Sequence, residues 1–211
     1  MTEDKIAILN ESIEKLETAK KLIMRKFALL AVTDEFTTYF RTFTIIMIFN
    51  RAVNLVDAIE DAARKRNILV QTALMRMMAD LPMTAYRVKL LGAEEFIKRI
   101  IKKEHLNYGK APNGESLMDA KVKKQVAKDF EDFDKFYDWA CKGVHFSELD
   151  QMASLRANSE ATVDANIAVG MNDAATFSAI IINNDTTKKL VDIMLSAVKK
   201  YILSLEKGEK I

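Results

Sequence analysis

Only eight of the 211 residues are glycine or proline, six of the first and two of the second. An average chain of that length carries about 25. Sandwiches and barrels turn every few residues and need such breakers, so an all-β fold is excluded, and glycine-rich phosphate loops with it. The chain must run most of its length in long uninterrupted elements. Hydrophobic residues are 49% and charged residues 29%, enough apolar surface for a packed core. The expectation is a single, mainly α domain over 1–211, a bundle of five to seven helices.

Thirty-two Lys and Arg stand against 30 Asp and Glu, a net charge of +2. No overall field draws the chain to nucleic acid or membrane, so an electrostatic partner must meet a local patch. One cysteine, Cys141, excludes an internal disulfide and a cysteine-rich zinc site, and two histidines, His105 and His145, make a structural zinc unexpected. The expectation is no metal and no cofactor. The most apolar run, Phe43 to Phe49 between Arg41 and Arg51, is far shorter than the roughly 20 residues a bilayer core takes. The acidic start, Met1 to Asp4, does not read as a secretory signal. The expected setting is cytoplasmic, reducing and away from membranes.

Periodicity places the elements. From Asp4 to about Ala31, Ile6, Leu9, Ile13, Leu16, Leu22, Ile23, Phe27 and Leu30 fall at helical spacing. Thr33 or Asp34 can cap a second helix that runs to about Arg66, with a break near Thr37–Thr38. Its centre, Phe40 to Val56, is apolar nearly all round, which suits the middle of a bundle. A third helix spans Asn67 to Leu91 and buries Ile68, Leu69, Ala73, Leu74, Met77 and Met78. Pro82 should kink or break it near Asp80–Leu81. A short basic helix follows from Ala93 to about Glu104, then a loop from His105 to Glu115. Ser116 to about Lys142 reads as one helix with Val122, Val126, Phe130, Phe133, Phe136, Tyr137 and Ala140 inward.

Beyond Glu160 the period changes. Val163, Ala165, Ile167 and Val169 alternate with polar neighbours, and Ala175 to Ile182 is a short apolar run. These predict a β-hairpin over about 161–182. Asn184 or Asp185 then caps a final helix over about 185–206.

Several residues have the chemistry for a site. His145 follows a long aromatic helix and can act as acid or base near neutral pH, or can simply cap a carbonyl. Arg76 is a lone charge amid Leu74, Met75, Met77 and Met78. It either binds an anion bidentately or pairs internally with Asp80, four residues on. Asn50, Asn54, Asp57 and Asp61 form one polar stripe on an apolar helix, lining a cleft or facing solvent. Arg99 and His105 are six residues apart. They lie in a stretch, Lys98 to Lys128, with nine basic and three acidic side chains. Such a run can meet a phosphate backbone or be a solvated face.

Three stretches in this order, Arg51 to Asp57 (RAVNLVD), Asn67 to Asp80 (NILVQTALMRMMAD) and Tyr137 to Ser147 (YDWACKGVHFS), resemble a group of bacterial all-helical proteins. That group is itself distantly similar to the HEPN superfamily, many of whose members are metal-independent ribonucleases of toxin and phage-defence systems. About 30 residues carry the resemblance. It implies Arg76 and His145 as catalytic residues, with Asp80, Tyr137 and Ser147 beside them, and RNA and a second copy of the chain as partners. The chain departs from the Arg-x(4–6)-His pattern of that superfamily. His145 has no arginine at that distance, and Arg99, which does precede His105 suitably, is followed by Ile100 rather than a polar residue. The second reading is a non-catalytic helical interaction module that binds a protein or small ligand, and a third is a small-molecule enzyme that uses the Asn50, Asn54 and Asp57 stripe, with Asn54 and Asp57 as candidate binding residues.

Overall fold

A computed structural model describes residues 3–32, 39–142, 155–156, 166–167 and 173–204. Among these residues there are seven α-helices. They are α1 (Glu3–Val32), α2 (Tyr39–Arg64), α3 (Ile68–Leu91), α4 (Ala93–Ile101), α5 (Asp119–Asp129), α6 (Phe133–Lys142) and α7 (Asp173–Val198). The last continues into a π-helical stretch, Lys199–Leu203.

Four of them close a ring. α1 packs on α2, α2 on α3, α3 on α7, and α7 back on α1. On α1, Leu9, Ile13, Leu16, Ala19 and Ile23 point into that ring at three-and-four spacing and are buried, as an amphipathic stripe must be. α2 meets three other helices of the domain besides α1, which explains why Ile45, Ile48, Phe49, Ala52, Val56 and Ile59 leave little polar surface on it. By length and composition alone α2 is also apolar enough to cross a membrane. α4, α5 and α6 flank α3, and α6 also touches α7.

The sequence-based expectations need four corrections. The hairpin over 161–182 is not formed. Ala175 to Ile182 belongs to α7, and Asn166–Ile167 (β2) pairs antiparallel with Leu155–Arg156 (β1) instead; the rest of 161–169 lies outside the described residues. A short apolar run carries no period of its own, and here it continues into the helical pattern that follows. Asn184 and Asp185 therefore sit inside a helix rather than at its start.

Pro82 does not interrupt α3. It is buried, and packing of α3 against α2 and α7 carries the helix without a break past the missing donor. The helix expected from Ser116 to Lys142 is two helices, separated where Phe130 is extended and Asp132 takes φ +64°. Aspartate tolerates that left-handed conformation better than most side chains. α3 starts where the third helix was expected to, and Asn67 is its cap: its side chain accepts from the Val70 N–H.

The fourth correction concerns the face of α3. Leu69, Ala73 and Met77 are exposed, whereas Gln71, Thr72, Met75 and Met78 are buried. Polar side chains are inside because α7 brings partners to them. Gln71 Nε2 donates to Asn184 Oδ1 (2.7 Å), and Asn184 Nδ2 donates to Ser12 Oγ of α1 (2.9 Å). Asn183 Nδ2 donates to Gln71 Oε1 (3.1 Å) and Thr72 Oγ1 (3.3 Å), while Trp139 Nε1 of α6 donates to Asn183 Oδ1 (3.0 Å). A buried amide costs little once hydrogen-bonded. Leu69→Ala should accordingly change the unfolding free energy by no more than about 0.5 kcal/mol. Urea denaturation checks this, and a loss in the range of about 2–5 kcal/mol, as for a core leucine, would return Leu69 to the interior.

Candidate functional site

α3 and α6 cross at Arg76. Its Nε donates to Cys141 Sγ (3.1 Å), and the two terminal nitrogens donate to Asp80 Oδ1 and to the Tyr137 hydroxyl oxygen. The guanidinium carbon also lies 4.1 Å from the centre of the Tyr137 ring, where the face of the ring attracts a cation. The geometry follows from the local sequence. Arg76 and Asp80 are one helical turn apart on α3, and Tyr137 and Cys141 one turn apart on α6, so each helix presents two groups on one face. The internal pairing with Asp80 is thus present.

The Arg76 side chain is 18% exposed, and the described residues engage three of its five N–H groups. It remains able to take a further acceptor from solvent. Burial lowers its pKa, but the hydrogen bond and charge of Asp80 outweigh this and the net shift is upward. Burial raises the Asp80 carboxyl, and Arg76 offsets only part of that shift. Burial pushes the Tyr137 phenol up to about 12 against the pull of Arg76. The arrangement is an oriented cation with a carboxyl group at its side and a phenol fixed neutral beneath it.

The tyrosines give a test. Burial pushes Tyr86 to about 12 as well, helped by its bond to Glu115, and drives Tyr201 up further with help from Asp129. An acid with a raised folded-state pKa holds its proton in the folded state while the unfolded chain releases it. Stability is then complete below pH 10 and falls as pH climbs from 10 towards 12. At pH 11 a phenol raised by two units should have cost about 1.4 kcal/mol. Tyr137→Phe should remove that share of the alkaline slope, measured by urea denaturation at pH 9, 10 and 11; an unaltered slope would mean that Tyr137 is not buried.

The other expected site residues fall into three groups. His145 and Ser147 lie outside the described residues. Asn54 is exposed, and Asp57 accepts from Lys20 Nζ (2.5 Å) across the α1–α2 contact. Asn50 is exposed too, and Asp61 pairs with Lys65 (2.6 Å), so the stripe faces solvent and α1. Arg99 pairs with Glu95 (2.9 Å) and Glu104 (3.8 Å), whereas the His105 ring meets Tyr108 edge-on at 5.6 Å. The two residues of that spacing are committed to different partners.

Sequence reasoning missed Arg87. Its side chain is 7% exposed, its Nε donates to the Leu117 carbonyl (3.2 Å), and a terminal nitrogen pairs with Asp119 (2.5 Å). Arg87 is about two turns beyond the Asp80 end of the Arg76 pair, and Arg87 and Asp119 both act electrostatically on Asp80. An arginine amid Tyr86 and Val88 was a signal of the same kind as Arg76. A separate apolar cleft of about 580 Å³ opens between α1, α2, the end of α7 and the π-helical stretch, lined by Leu29, Leu30, Phe49, Leu195, Val198 and Leu203. Among the described residues, no three His, Cys, Asp or Glu side chains converge as metal ligands. Neither a family model, nor a curated protein, nor a solved structure matches the chain.

Proposed function

We propose that the chain is a HEPN-like helical protein that binds RNA and cleaves it without a metal, in the cytoplasm of a bacterium, as part of a defence or toxin system. The observation that supports this reading is the contact of Arg76 with Tyr137 and Cys141. It joins two of the three stretches that carry the resemblance, and His145 follows Cys141 by four residues. In the proposed reaction His145 takes the proton of a ribose 2′-hydroxyl or gives one to the leaving oxygen. Arg76 stabilises the charge that develops on the phosphorus oxygens.

The test is cleavage of a mixed RNA pool by the purified protein in EDTA. His145→Ala should lower the rate about a hundredfold with folding intact, and Arg76→Lys should lower it while keeping the charge. Arg76→Ala is the poorer probe, because it removes three structural contacts at once. A parent protein that leaves every RNA intact ends the ribonuclease reading.

One observation favours the second reading, a non-catalytic helical interaction module that binds a protein or small ligand, here with a second copy of the chain as that protein. Leu69, Ala73 and Met77 are exposed at four-residue spacing on α3, next to exposed Val70. Such a stripe is a common helix-docking face. Light scattering that shows a dimer in the parent and a monomer in Leu69→Ser/Met77→Ser, together with RNA left intact by the parent, would support it; a monomeric parent would remove this stripe as a self-docking face.

A further inference from the structure

α5 divides its lysines between two faces. Lys123 turns towards α6, where it pairs with Asp134 (2.8 Å) and Asp138 (2.6 Å) and lies 5.0 Å from the centre of the Tyr137 ring. Lys121, Lys124 and Lys128 turn the other way at three-and-four spacing and are exposed. No carboxylate among the described residues lies within ion-pair distance of these three. Other cations of the chain are committed to carboxylates: Arg87 to Asp119, Lys200 to Asp129, Lys98 to Glu94, Arg99 to Glu95.

The three lysines also form one wall of a groove of about 270 Å³, whose other side is Tyr86, Glu115 and Ser116. Its one carboxylate among the described residues, Glu115, is already bound on both oxygens, accepting from Tyr86 (3.1 Å) and Asn113 (3.0 Å). That leaves three ammonium groups facing a concave surface, with the Ser116 hydroxyl and the Gln125 amide beside them. Residues three and four apart on a helix stand about 5–6 Å from one another. Lysines so spaced suit a row of anionic groups rather than a single one, and compact ammonium groups bind phosphate as point charges.

We propose that this groove is a binding site for a ligand that carries two or more phosphates in a row, with Lys121, Lys124 and Lys128 each taking a phosphate oxygen. The shared chemistry is that of a phosphodiester strand and of free polyphosphate. The inference goes beyond the ribonuclease reading, stands on separate residues and does not require cleavage.

The experiment measures binding of a labelled 12-nucleotide single-stranded RNA by anisotropy and of inorganic tripolyphosphate by calorimetry, both in EDTA. Lys121→Gln/Lys124→Gln/Lys128→Gln should weaken one or both ligands at least tenfold. For RNA it should lower the slope of log K against log salt by about 2. The same three positions changed to Arg should keep binding. Lys21→Gln/Lys65→Gln/Lys189→Gln, which removes equal charge elsewhere, should change it less than twofold. A loss confined to RNA identifies a strand as the ligand, and a loss for tripolyphosphate identifies free polyphosphate as sufficient. The proposal is overturned if the parent binds neither ligand, if the groove variant binds as the parent does, or if the control variant loses as much. RNA bound in the groove but never cut would remove the ribonuclease reading alone. RNA cut equally well by the groove variant, with binding also unaltered, would remove the groove alone.

Discussion

Asn184→Ala should unfold about 3 kcal/mol more easily than the parent, a drop of roughly 6–12 °C in Tm for a chain of this size. The side chain is fully buried. It accepts from Gln71 and donates to Ser12, so its loss strands an amide donor on α3 in the core and opens a small void. An unsatisfied buried donor costs far more than a hydrogen bond is worth in net terms. The neighbouring position sharpens the test. Asp185 pairs with Lys15 (2.9 Å) at a site where both side chains are more than a third exposed, and Asp185→Ala should cost less than about 1 kcal/mol. Urea denaturation of the two variants measures both effects. Equal losses would mean that the network is not buried.

Asp119→Ala should cost about 3 kcal/mol, although Asp119 itself is well exposed. The cost arises on the other partner: among the described residues the Arg87 guanidinium, nearly buried, keeps only the Leu117 carbonyl. Arg87→Met/Asp119→Ala should be more stable than Asp119→Ala alone, because no unpaired buried charge remains. A double-mutant cycle by denaturation measures this. A double variant less stable than the single would show that Arg87 acts through packing rather than through its charge.

The helices of the ring were legible where apolar spacing was strict. Leu9, Ile13, Leu16 and Ile23 announced α1, and Asn67 announced the start of α3. The reading failed where two rules competed. Gln71 and Thr72 are polar, so Leu69 and Met77 were assigned to the core; only the Asn183–Asn184 pair, more than a hundred residues away, makes the opposite face the buried one. Asn184, just past an isoleucine run, reads as a cap from sequence because a buried amide cannot be told from a capping amide without its partner. The split at Asp132 left no trace because no glycine marks it. In the candidate site, the Arg76–Asp80 turn was visible from its four-residue spacing. Cys141 as a partner was not, since nothing local fixes which face of α6 meets α3.

The ring of four helices has a consequence for how the chain is made. Ser12 and Asn184, joined by a hydrogen bond, are 172 residues apart in sequence. A ribosome adds about 5–20 residues each second, so the α1–α2 pair waits roughly 10–30 s before the helix that covers its open side has emerged. Throughout that interval Leu9, Ile13 and Ala63, which α7 seals through Ile180, face the solvent or whatever escorts the nascent chain. Emergence of α7 closes the core, and a chain interrupted before it leaves an apolar seam open to its neighbours.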